Sequence, residues 1–429
     1  MCIRDRRYFE ERFGARCTEV WIPDVFGYPA GLPQVFAAGG MDRFVTQKLS
    51  WNKQNRFPHN TFWWEGLDGS RVLTHFPPVD TYNAEITPAE FAFSVTNFQD
   101  HGWSTDSLMP FGHGDGGGGP TREMVERARR LAHIDARATL EIDTPGAMFE
   151  RIERDADRGA PVPVWRGELY FEMHRGTLTS QLNTKLGNRR CERLLVEAEL
   201  WAATLGRSAD VDELWKRTLT QQFHDILPGS SIAWVHQDAE RILGEVEAEA
   251  EARIAGLLAE LAGATTAVAN RGDVAVDEVV TLDLGGADIG GPVQRLADGT
   301  TAFRASVPAM AVAPVDALAV DDRVVLSDTS MTNGHLAVRW DAHGNITSII
   351  DLADAREIVP EGAVAAALEI AVDHPVEYDA WDVESWTVDS GTSLTGGDGG
   401  SVYVVDAGPL VGRVRVQRAF GPSTAVTTY

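Results

Sequence analysis

Over the first third of the chain, short apolar strand-like stretches alternate with stretches in which hydrophobic residues have helical spacing. Short apolar strands are predicted over residues 18–22, 72–76 and 107–111, and the helical spacing of apolar residues predicts helices over 89–100 and 122–131. Strands that alternate with helices along a chain are typical of a parallel sheet or a β/α barrel. This part of the sequence therefore predicts an α/β domain.

A polar or glycine-rich loop follows each of these predicted strands. The three loops contain Asp24, His75 and Asp115 in turn. In parallel sheets and β/α barrels the reactive side chains lie in loops at the carboxyl ends of the strands. We therefore expect the chemistry of the protein to be located around these loops.

The spacing changes to a purely helical one after Pro145 and to strand alternation after Ala264. Apolar residues recur with helical spacing over 194–205, 211–223 and 238–261, whereas 323–326 and 335–340 read as strands separated by turn-forming residues. The pattern predicts a multidomain α/β, α and β protein with an α/β domain over 7–140, a helical middle domain over 145–262 and an incomplete β-sandwich-like domain over 264–429.

The charge of the chain excludes one class of partner. The sequence has 429 residues with 63 acidic and 38 basic side chains, which gives a formal net charge of −25 at pH 7. Such a field repels phosphate backbones and anionic lipid surfaces, so we expect neither nucleic acid nor membrane partners. No apolar run reaches the ~18 residues of a membrane span, and no signal peptide is recognisable, so we expect a cytoplasmic protein. The three cysteines, Cys2, Cys17 and Cys191, are too widely spaced to indicate a disulfide framework or a thiolate zinc site.

Both ends of the sequence read as interrupted. Residues 8–14 have the pattern of a helix already under way, and Met1–Arg6 do not fit it, so we expect these six residues to be foreign to the protein. The other end, Ala425–Tyr429, stops within strand-like sequence. We therefore expect the chain to be truncated at both termini.

Two clusters in the first domain combine aromatic and polar residues. Trp21-Ile22-Pro23-Asp24-Val25-Phe26-Gly27-Tyr28 places Asp24 rigidly between a proline and an aromatic-glycine turn. Residues 51–82 include Trp51, His75 and Tyr82 among many other aromatic residues and amides, which suits a sugar ligand because rings stack on its C–H faces. A capping or turn aspartate and ordinary core aromatics are the alternatives.

Two further clusters contain candidate acids and ligands. Residues 110–121 form a glycine-rich loop around Asp115 that leads into a helix; it lacks both the Walker ending and the order of a dinucleotide-binding loop, which leaves nucleotide binding a weak alternative. Residues 221–231 place His224 and Asp225 where a helix breaks at Pro228-Gly229. A histidine at a helix end is otherwise a cap or a switch residue.

Taken together, the four clusters resemble the α-mannosidases of glycoside hydrolase family 38, and most closely their cytosolic and bacterial branch. The resemblance implies a retaining α-mannosidase that hydrolyses terminal α-mannosides with zinc, or alternatively cobalt, as its cofactor. It also implies that residues 7–140 are the second half of a seven-stranded β/α barrel, 145–262 a helical bundle and 264–429 the start of a β-sandwich. The residue roles implied are catalysis by the nucleophile Asp24 and the acid/base Asp115, metal binding by Asp24 and His224, and substrate binding by Asp225, His75, Tyr82, Trp51, His174 and Arg175.

The family completes its zinc site with a His-x-Asp pair on an early strand, which the sequence before Tyr8 does not contain. His133 and Asp135 match the His-x-Asp pattern, but they follow the Asp115 loop instead of preceding Asp24, so we do not expect them to be ligands. We therefore expect this chain to be an inactive fragment of an enzyme whose partner is a mannosyl oligosaccharide and which can form homo-oligomers. A non-catalytic mannose-binding or other carbohydrate-binding protein is the main alternative function.

Overall fold

A computed structural model describes residues 2–115, 117–132, 138–286, 288–320, 323–395 and 401–429. The chain forms two compact units, each assembled from separate stretches of sequence. The first unit comprises 1–181, 222–232 and 377–382, and the second comprises 182–221, 233–376 and 383–429. The predicted division into three consecutive domains is a different partition of the chain and stays a prediction.

The first unit is built on a five-stranded mixed sheet. Its strand order is β1-β2-β4-β3-β5, in which β1, β2 and β4 are parallel, β3 is antiparallel to β4, and β5 is parallel to β3. The elements are α1 (Cys2–Phe13), β1 (Glu19–Trp21), α2 (Leu32–Ala38), β2 (Arg43–Val45), β3 (Thr61–Glu65), β4 (Arg71–His75), α3 (Pro88–Asn97), α4 (Arg122–Leu131), α5 (Pro145–Asp157) and β5 (Val164–Arg166).

Aromatic residues form the core on one face of this sheet. Phe44, Phe62 and Trp64 are completely buried, and they pack with Phe36 and Tyr28. β3 was not among the predicted strands, although its β-branched and aromatic residues are typical of one. Burial of Phe62 and Trp64 shows that part of the aromatic cluster serves the core, as the alternative interpretation held.

The predicted helices over 89–100 and 122–131 are confirmed as α3 and α4. Thr87 and Thr121 cap them by accepting the backbone N–H three residues ahead. The predicted strand over 107–111 is wrong, because only Phe111 forms a parallel bridge. Pro110 has no N–H to donate, and the N–H of Leu108 donates instead to Nε2 of His75 at 3.1 Å.

The second unit begins with three helices, which confirms the helical spacing over 194–205, 211–223 and 238–261. They are α6 (Leu182–Thr204), α7 (Asp212–Thr220) and α8 (Ala233–Ala262). α6 and α8 pack along each other around a core that includes the fully buried Trp201 and Leu195. The apolar stripe of each helix faces the others, which is the reason for their helical spacing.

Among the described residues of the second unit, the strands pair in antiparallel fashion in five small sheets. The predicted strands over 323–326 and 335–340 are represented by β11 and β13. The β-sandwich, like the barrel in the first unit, stays a prediction. The elements are β6 (Ala267–Asn270), β7 (Val276–Leu282), β8 (Gln294–Arg295), β9 (Thr301–Val307), β10 (Ala311–Pro314), β11 (Val325–Leu326), β12 (Ser330–Thr332), β13 (Leu336–Trp340), β14 (Ile346–Asp351), β15 (Arg356–Glu357), β16 (Glu369–Ile370), α9 (Ser385–Asp389), β17 (Thr392–Ser393), β18 (Ser401–Ala407), β19 (Gly412–Phe420) and β20 (Ser423–Thr428).

Within the described part of the chain, no helix combines the length and the apolar character needed to cross a bilayer.

Candidate active site

Asp24 lies just beyond the carboxyl end of β1, where the first unit brings two basic side chains against it. The N–H of Ile22 donates to the carbonyl of Val45, which keeps the chain after β1 beside the end of β2. Oδ1 of Asp24 lies 2.6 Å from Nζ of Lys48, and Oδ2 lies 3.2 Å from Nε2 of His224. Each oxygen of the carboxylate therefore has its own basic partner.

Lys48 is a site residue that the sequence interpretation missed. It follows β2 in a short 3₁₀ helix, Lys48–Trp51, and its side chain is buried. Its ammonium group lies 4.4 Å from the ring centre of Trp51, 5.7 Å from that of Phe26 and 6.0 Å from that of Tyr82. Buried lysines need compensation, and here an anion and three ring faces provide it. The signal in the sequence was a single lysine between an apolar strand and Trp51.

The ionisation of Asp24 and His224 is coupled. Burial raises the pKa of Asp24, but hydrogen bonds from His224 and Lys48 and the attraction of their charges outweigh it, so the pKa lies below its ordinary value. The hydrogen bond to Asp24 raises the pKa of His224 above the usual range for histidine, against the opposing effect of burial. The pair therefore favours the carboxylate and the imidazolium.

His224 and Asp225 belong to a tight turn that runs from Phe223 to Ser231. The N–H of Ser231 donates to the carbonyl of Asp225 at 3.0 Å, and Gly229 has the left-handed φ of 93°. A Cβ on Gly229 would lie 2.9 Å from the backbone and side chain of Ser180, so only glycine fits there. Oδ2 of Asp225 lies 3.8 Å from Nε2 of His224, which places this carboxylate beside the Asp24 pair.

Asp115 lies on the glycine-rich loop before α4 and is exposed. The backbone of His113 and Gly119 is joined by hydrogen bonds in both directions, of 2.9 and 2.6 Å, which closes the loop under Asp115. Asp115 itself has a left-handed backbone with φ of 49°. The exposed Asp115 therefore lies on a strained turn.

The carboxylates of Asp24, Asp115 and Asp225 all influence Tyr82. Burial raises the pKa of Tyr82, and the negative charges of Asp24, Asp115 and Asp225 raise it further. Its ring lies 6.0 Å from that of Trp51, whose indole N–H donates to the carbonyl of Asp80 at 2.8 Å. The structure therefore brings together Asp24, Lys48, His224 and Asp225, with Trp51 and Tyr82 as aromatic walls and Asp115 close enough to affect Tyr82.

His75 has a different position from the one expected for a substrate contact. Its side chain is completely buried, Nδ1 lies 2.9 Å from the hydroxyl of Thr61, and Nε2 accepts the N–H of Leu108. Burial lowers the pKa of His75 to about 3, so the ring is neutral. Both ring nitrogens are engaged within the protein, which argues against the expected substrate contact and assigns His75 to holding the 107–111 segment.

His174 and Arg175 are placed beside one another but in different surroundings. His174 is buried among the rings of Phe26, Phe171, Tyr378 and Trp381, with centroid distances of 5.1 to 6.0 Å, and its backbone N–H donates to Asp382. Arg175 is exposed, and its Nε donates to the hydroxyl of Tyr170 at 2.9 Å. His174 is therefore part of a buried aromatic cluster next to Phe26, while Arg175 lies at the surface.

Asp24 and His224 have the chemistry and the spacing of two zinc ligands. With bond lengths of about 2.0–2.2 Å, two ligand atoms on one tetrahedral zinc ion lie roughly 3.3–3.6 Å apart, which is slightly more than the 3.2 Å between Oδ2 and Nε2. Among the described residues, however, no group of three or more His, Cys, Asp or Glu side chains has an arrangement that could hold a metal ion. His133 and Asp135 lie outside the described residues. Two ligands do not complete a zinc site, so no step below depends on the metal.

Comparison with known proteins gives three consecutive family matches. Residues 2–168 match the model of the glycosyl hydrolases family 38 N-terminal domain, 172–261 the α-mannosidase middle domain, and 331–429 the glycosyl hydrolases family 38 C-terminal domain. The three matches follow one another along the chain as N-terminal, middle and C-terminal domains.

The chain is also similar to individual proteins of known name. It is 35% identical to α-mannosidase 2C1 of Mus musculus in an alignment of 425 positions that covers 93% of this chain and 40% of that protein. It is 32% identical to α-mannosidase G of Dictyostelium discoideum, covering 94% of this chain and 42% of that protein. The chain thus spans about two fifths of the length of these relatives.

A solved structure shares the fold. The crystal structure of an α-mannosidase from Enterococcus faecalis V583 matches with a TM-score of 0.72 and 14% identity, over 95% of this chain and 55% of that one.

Proposed function

Because the chain belongs to glycosyl hydrolase family 38, we propose that the intact protein is a retaining α-mannosidase acting on terminal α-mannosides of oligosaccharides and other glycans. The observation that carries the proposal is the Asp24 carboxylate held between Lys48 and His224 beside aromatic rings. A sugar ring stacks on such rings, and its hydroxyls hydrogen-bond to carboxylates.

Asp24 is proposed as the nucleophile. A nucleophilic carboxylate must be ionised at neutral pH, and the lowered pKa of Asp24 satisfies this requirement. In a double displacement the carboxylate attacks the anomeric carbon as the glycosidic bond breaks, and water later releases mannose from the glycosyl-enzyme. The ammonium of Lys48 and the imidazole of His224 fix the orientation of Asp24.

Asp115 is proposed as the acid/base residue. It protonates the leaving oxygen in the first step and deprotonates the incoming water in the second. Its exposure on the glycine loop lets it exchange protons with solvent between the two steps. Both carboxylates raise the pKa of Tyr82. A retaining mechanism requires about 5–5.5 Å between the two carboxyl groups in the intact protein.

Substrate contacts are proposed for Trp51 and Tyr82 as stacking walls and for Asp225 as an acceptor of sugar hydroxyls. Arg175 is proposed for the rim, and His174 for positioning through its aromatic surroundings.

Zinc is proposed as the cofactor of the intact protein, with cobalt as a possible replacement. Asp24 and His224 would supply two of its ligands. When bound, zinc would polarise sugar hydroxyls at the site. We also propose a cytoplasmic location and a homo-oligomeric state for the intact protein. The catalytic activity is proposed for the intact protein and not for this chain alone.

The enzyme assay uses the intact protein and 4-nitrophenyl α-mannoside. We expect release of nitrophenol, α-mannose as the first product by NMR, and loss of activity to a chelator that zinc restores. Chelator-resistant turnover would contradict the cofactor, and β-mannose as the first product would contradict retention. Binding of mannose without release of nitrophenol would favour the alternative, a non-catalytic carbohydrate-binding protein.

Substrates with different leaving groups distinguish the roles of Asp24 and Asp115. Asp24→Ala should abolish glycosyl-enzyme formation with every substrate, whereas Asp115→Ala should keep measurable turnover of aryl mannosides with good leaving groups. The exposed Asp68→Asn is the matched control and should behave like the wild type. Equal and complete loss in both catalytic variants would contradict their separate roles.

A further inference from the structure

A short segment far along the chain contributes a tryptophan to Asp225. Residues 377–382 belong to the same compact unit as Asp24 and Asp225, although the chain on both sides of them belongs to the other unit. The indole N–H of Trp381 donates to Oδ1 of Asp225 at 3.2 Å. No feature of the sequence around Asp225 indicates this partner, which lies 156 residues further along the chain.

The same carboxylate oxygen also accepts a second hydrogen bond. The hydroxyl of Ser230 donates to Oδ1 of Asp225 at 2.8 Å. Two donors from different segments on one oxygen restrict the rotation of the carboxylate, which leaves Oδ2 on the side of His224 at 3.8 Å. Hydrogen bonds to an ionised group are among the stronger ones, so this arrangement defines one orientation.

Trp381 is itself held on two sides. The N–H groups of Trp381 and Asp382 both donate to the carbonyl of Tyr378 at 2.8 Å, which closes the segment into a turn. The carboxylate of Asp382 is buried and accepts the backbone N–H of His174. The rings of Tyr378 and Trp381 lie 5.3 and 6.0 Å from that of His174. The indole therefore has little freedom to move away from Asp225.

From this geometry we infer that Trp381 is a positioning residue, which orients the Asp225 carboxylate for sugar hydroxyls through the indole N–H. The inference rests on the proposed function, because it takes Asp225 to be an acceptor of sugar hydroxyls in a mannosidase. This role extends the candidate active site to residues 377–382, which lie outside the four sequence clusters. The turn that these residues form would then contribute to substrate binding.

The kinetic test is a double-mutant cycle on the intact protein. Trp381→Phe keeps a ring against His174 and removes the N–H, and it should lower kcat/KM for 4-nitrophenyl α-mannoside roughly tenfold. In the Asp225→Ala background the same substitution should have little further effect, because its partner is absent. Trp386→Phe, at a half-exposed tryptophan five residues along, is the control and should have no effect. Additive losses, or no loss in Trp381→Phe, would overturn the inference.

A second cycle does not depend on activity. Thermal unfolding of the same four proteins should show that Trp381→Phe lowers Tm in the wild-type background and not in Asp225→Ala. If the wild type does not cleave mannosides, the proposed function fails and the role of Trp381 in substrate binding fails with it. A coupled unfolding cycle would then still report the Trp381–Asp225 contact. An uncoupled unfolding cycle in an active enzyme would overturn the positioning role alone.

Discussion

The Asp24 carboxylate illustrates how neighbouring charges decide the state of a single residue. Burial by itself would favour its protonated form, but Lys48 and His224 reverse this effect. The positive charge of the imidazolium and the negative charge of the carboxylate stabilise each other, so both groups titrate away from their ordinary values.

The first prediction concerns the titration of His224 in protein freed of metal by a chelator. Its pKa, followed by NMR of the imidazole ring, should lie above the ordinary histidine value, because the hydrogen bond to Asp24 and the charge of that carboxylate favour imidazolium. Asp24→Asn should lower this pKa. Asp68→Asn removes an exposed carboxylate of the same unit and should leave it unchanged. An unaltered titration in Asp24→Asn would show that the pair does not form.

The second prediction concerns His75 and acid stability. The pKa of His75 is lowered to about 3 in the folded protein from an ordinary 6.5, so only the unfolded chain gains a proton between these values. The stability that it contributes is thus complete above pH 6.5 and is lost as the pH falls towards 3. Lowering the pH from 7 to 5 should cost about 2 kcal/mol through this residue.

Urea unfolding at both pH values tests this effect. His75→Gln keeps an acceptor for the N–H of Leu108 but cannot titrate, so its loss of stability from pH 7 to pH 5 should be smaller than that of the wild type. Equal losses in the two proteins would mean that His75 is protonated in the folded state.

At the scale of elements, loops after strands carry the candidate chemistry, and backbone geometry limits their sequences. Gly112 opens the Asp115 loop with a φ of 113°, and a Cβ there would lie 2.8 Å from the backbone of Gly119 and Pro120. Neither backbone group can move without opening the hydrogen-bonded loop between His113 and Gly119.

The third prediction follows from this contact. Gly112→Ala should lower the free energy of unfolding by about 1–3 kcal/mol and reduce any activity that depends on Asp115, because the substitution combines strain with a clash. Gly117→Ala is the matched control: its φ of 77° is also left-handed, but no atom lies within 4 Å of the new Cβ. Chemical denaturation of both variants should give the larger loss for Gly112→Ala, and the reverse order would contradict the assigned loop geometry.

For the whole molecule, the net charge of −25 is the dominant electrostatic property. Like charges repel one another in the compact state, and salt weakens this repulsion by shortening the Debye length from about 30 Å at 10 mM to about 8 Å at 150 mM. The candidate active site contains three of these carboxylates, Asp24, Asp115 and Asp225, and Lys48 and His224 are the basic partners of Asp24.

The fourth prediction is that salt stabilises the protein. Raising sodium chloride from about 10 mM to about 150 mM should increase Tm by a few degrees, because screening of a large net charge outweighs the weakening of exposed ion pairs. Potassium chloride should have the same effect at equal ionic strength, since screening does not depend on the identity of the cation. A lower Tm at higher salt would show that attractive ion pairs dominate.

Local sequence determined much of this protein. Helical spacing located α3, α4, α6, α7 and α8, because the apolar stripe of a helix is written in consecutive residues. The ordered clusters around Asp24, Asp115 and His224 indicated the family, and Asp24, His224 and Asp225 do lie together. These inferences needed only spacing and the chemistry of neighbouring side chains.

Tertiary structure alone decided the partners of these residues. Lys48 became a partner of Asp24 because β2 is parallel to β1, and Trp381 became a partner of Asp225 because a turn 156 residues away joins the same unit. The segment over 107–111 lost its strand character because His75 binds its N–H. Pairings between distant segments depend on which surfaces pack together, and no local spacing along the chain records them.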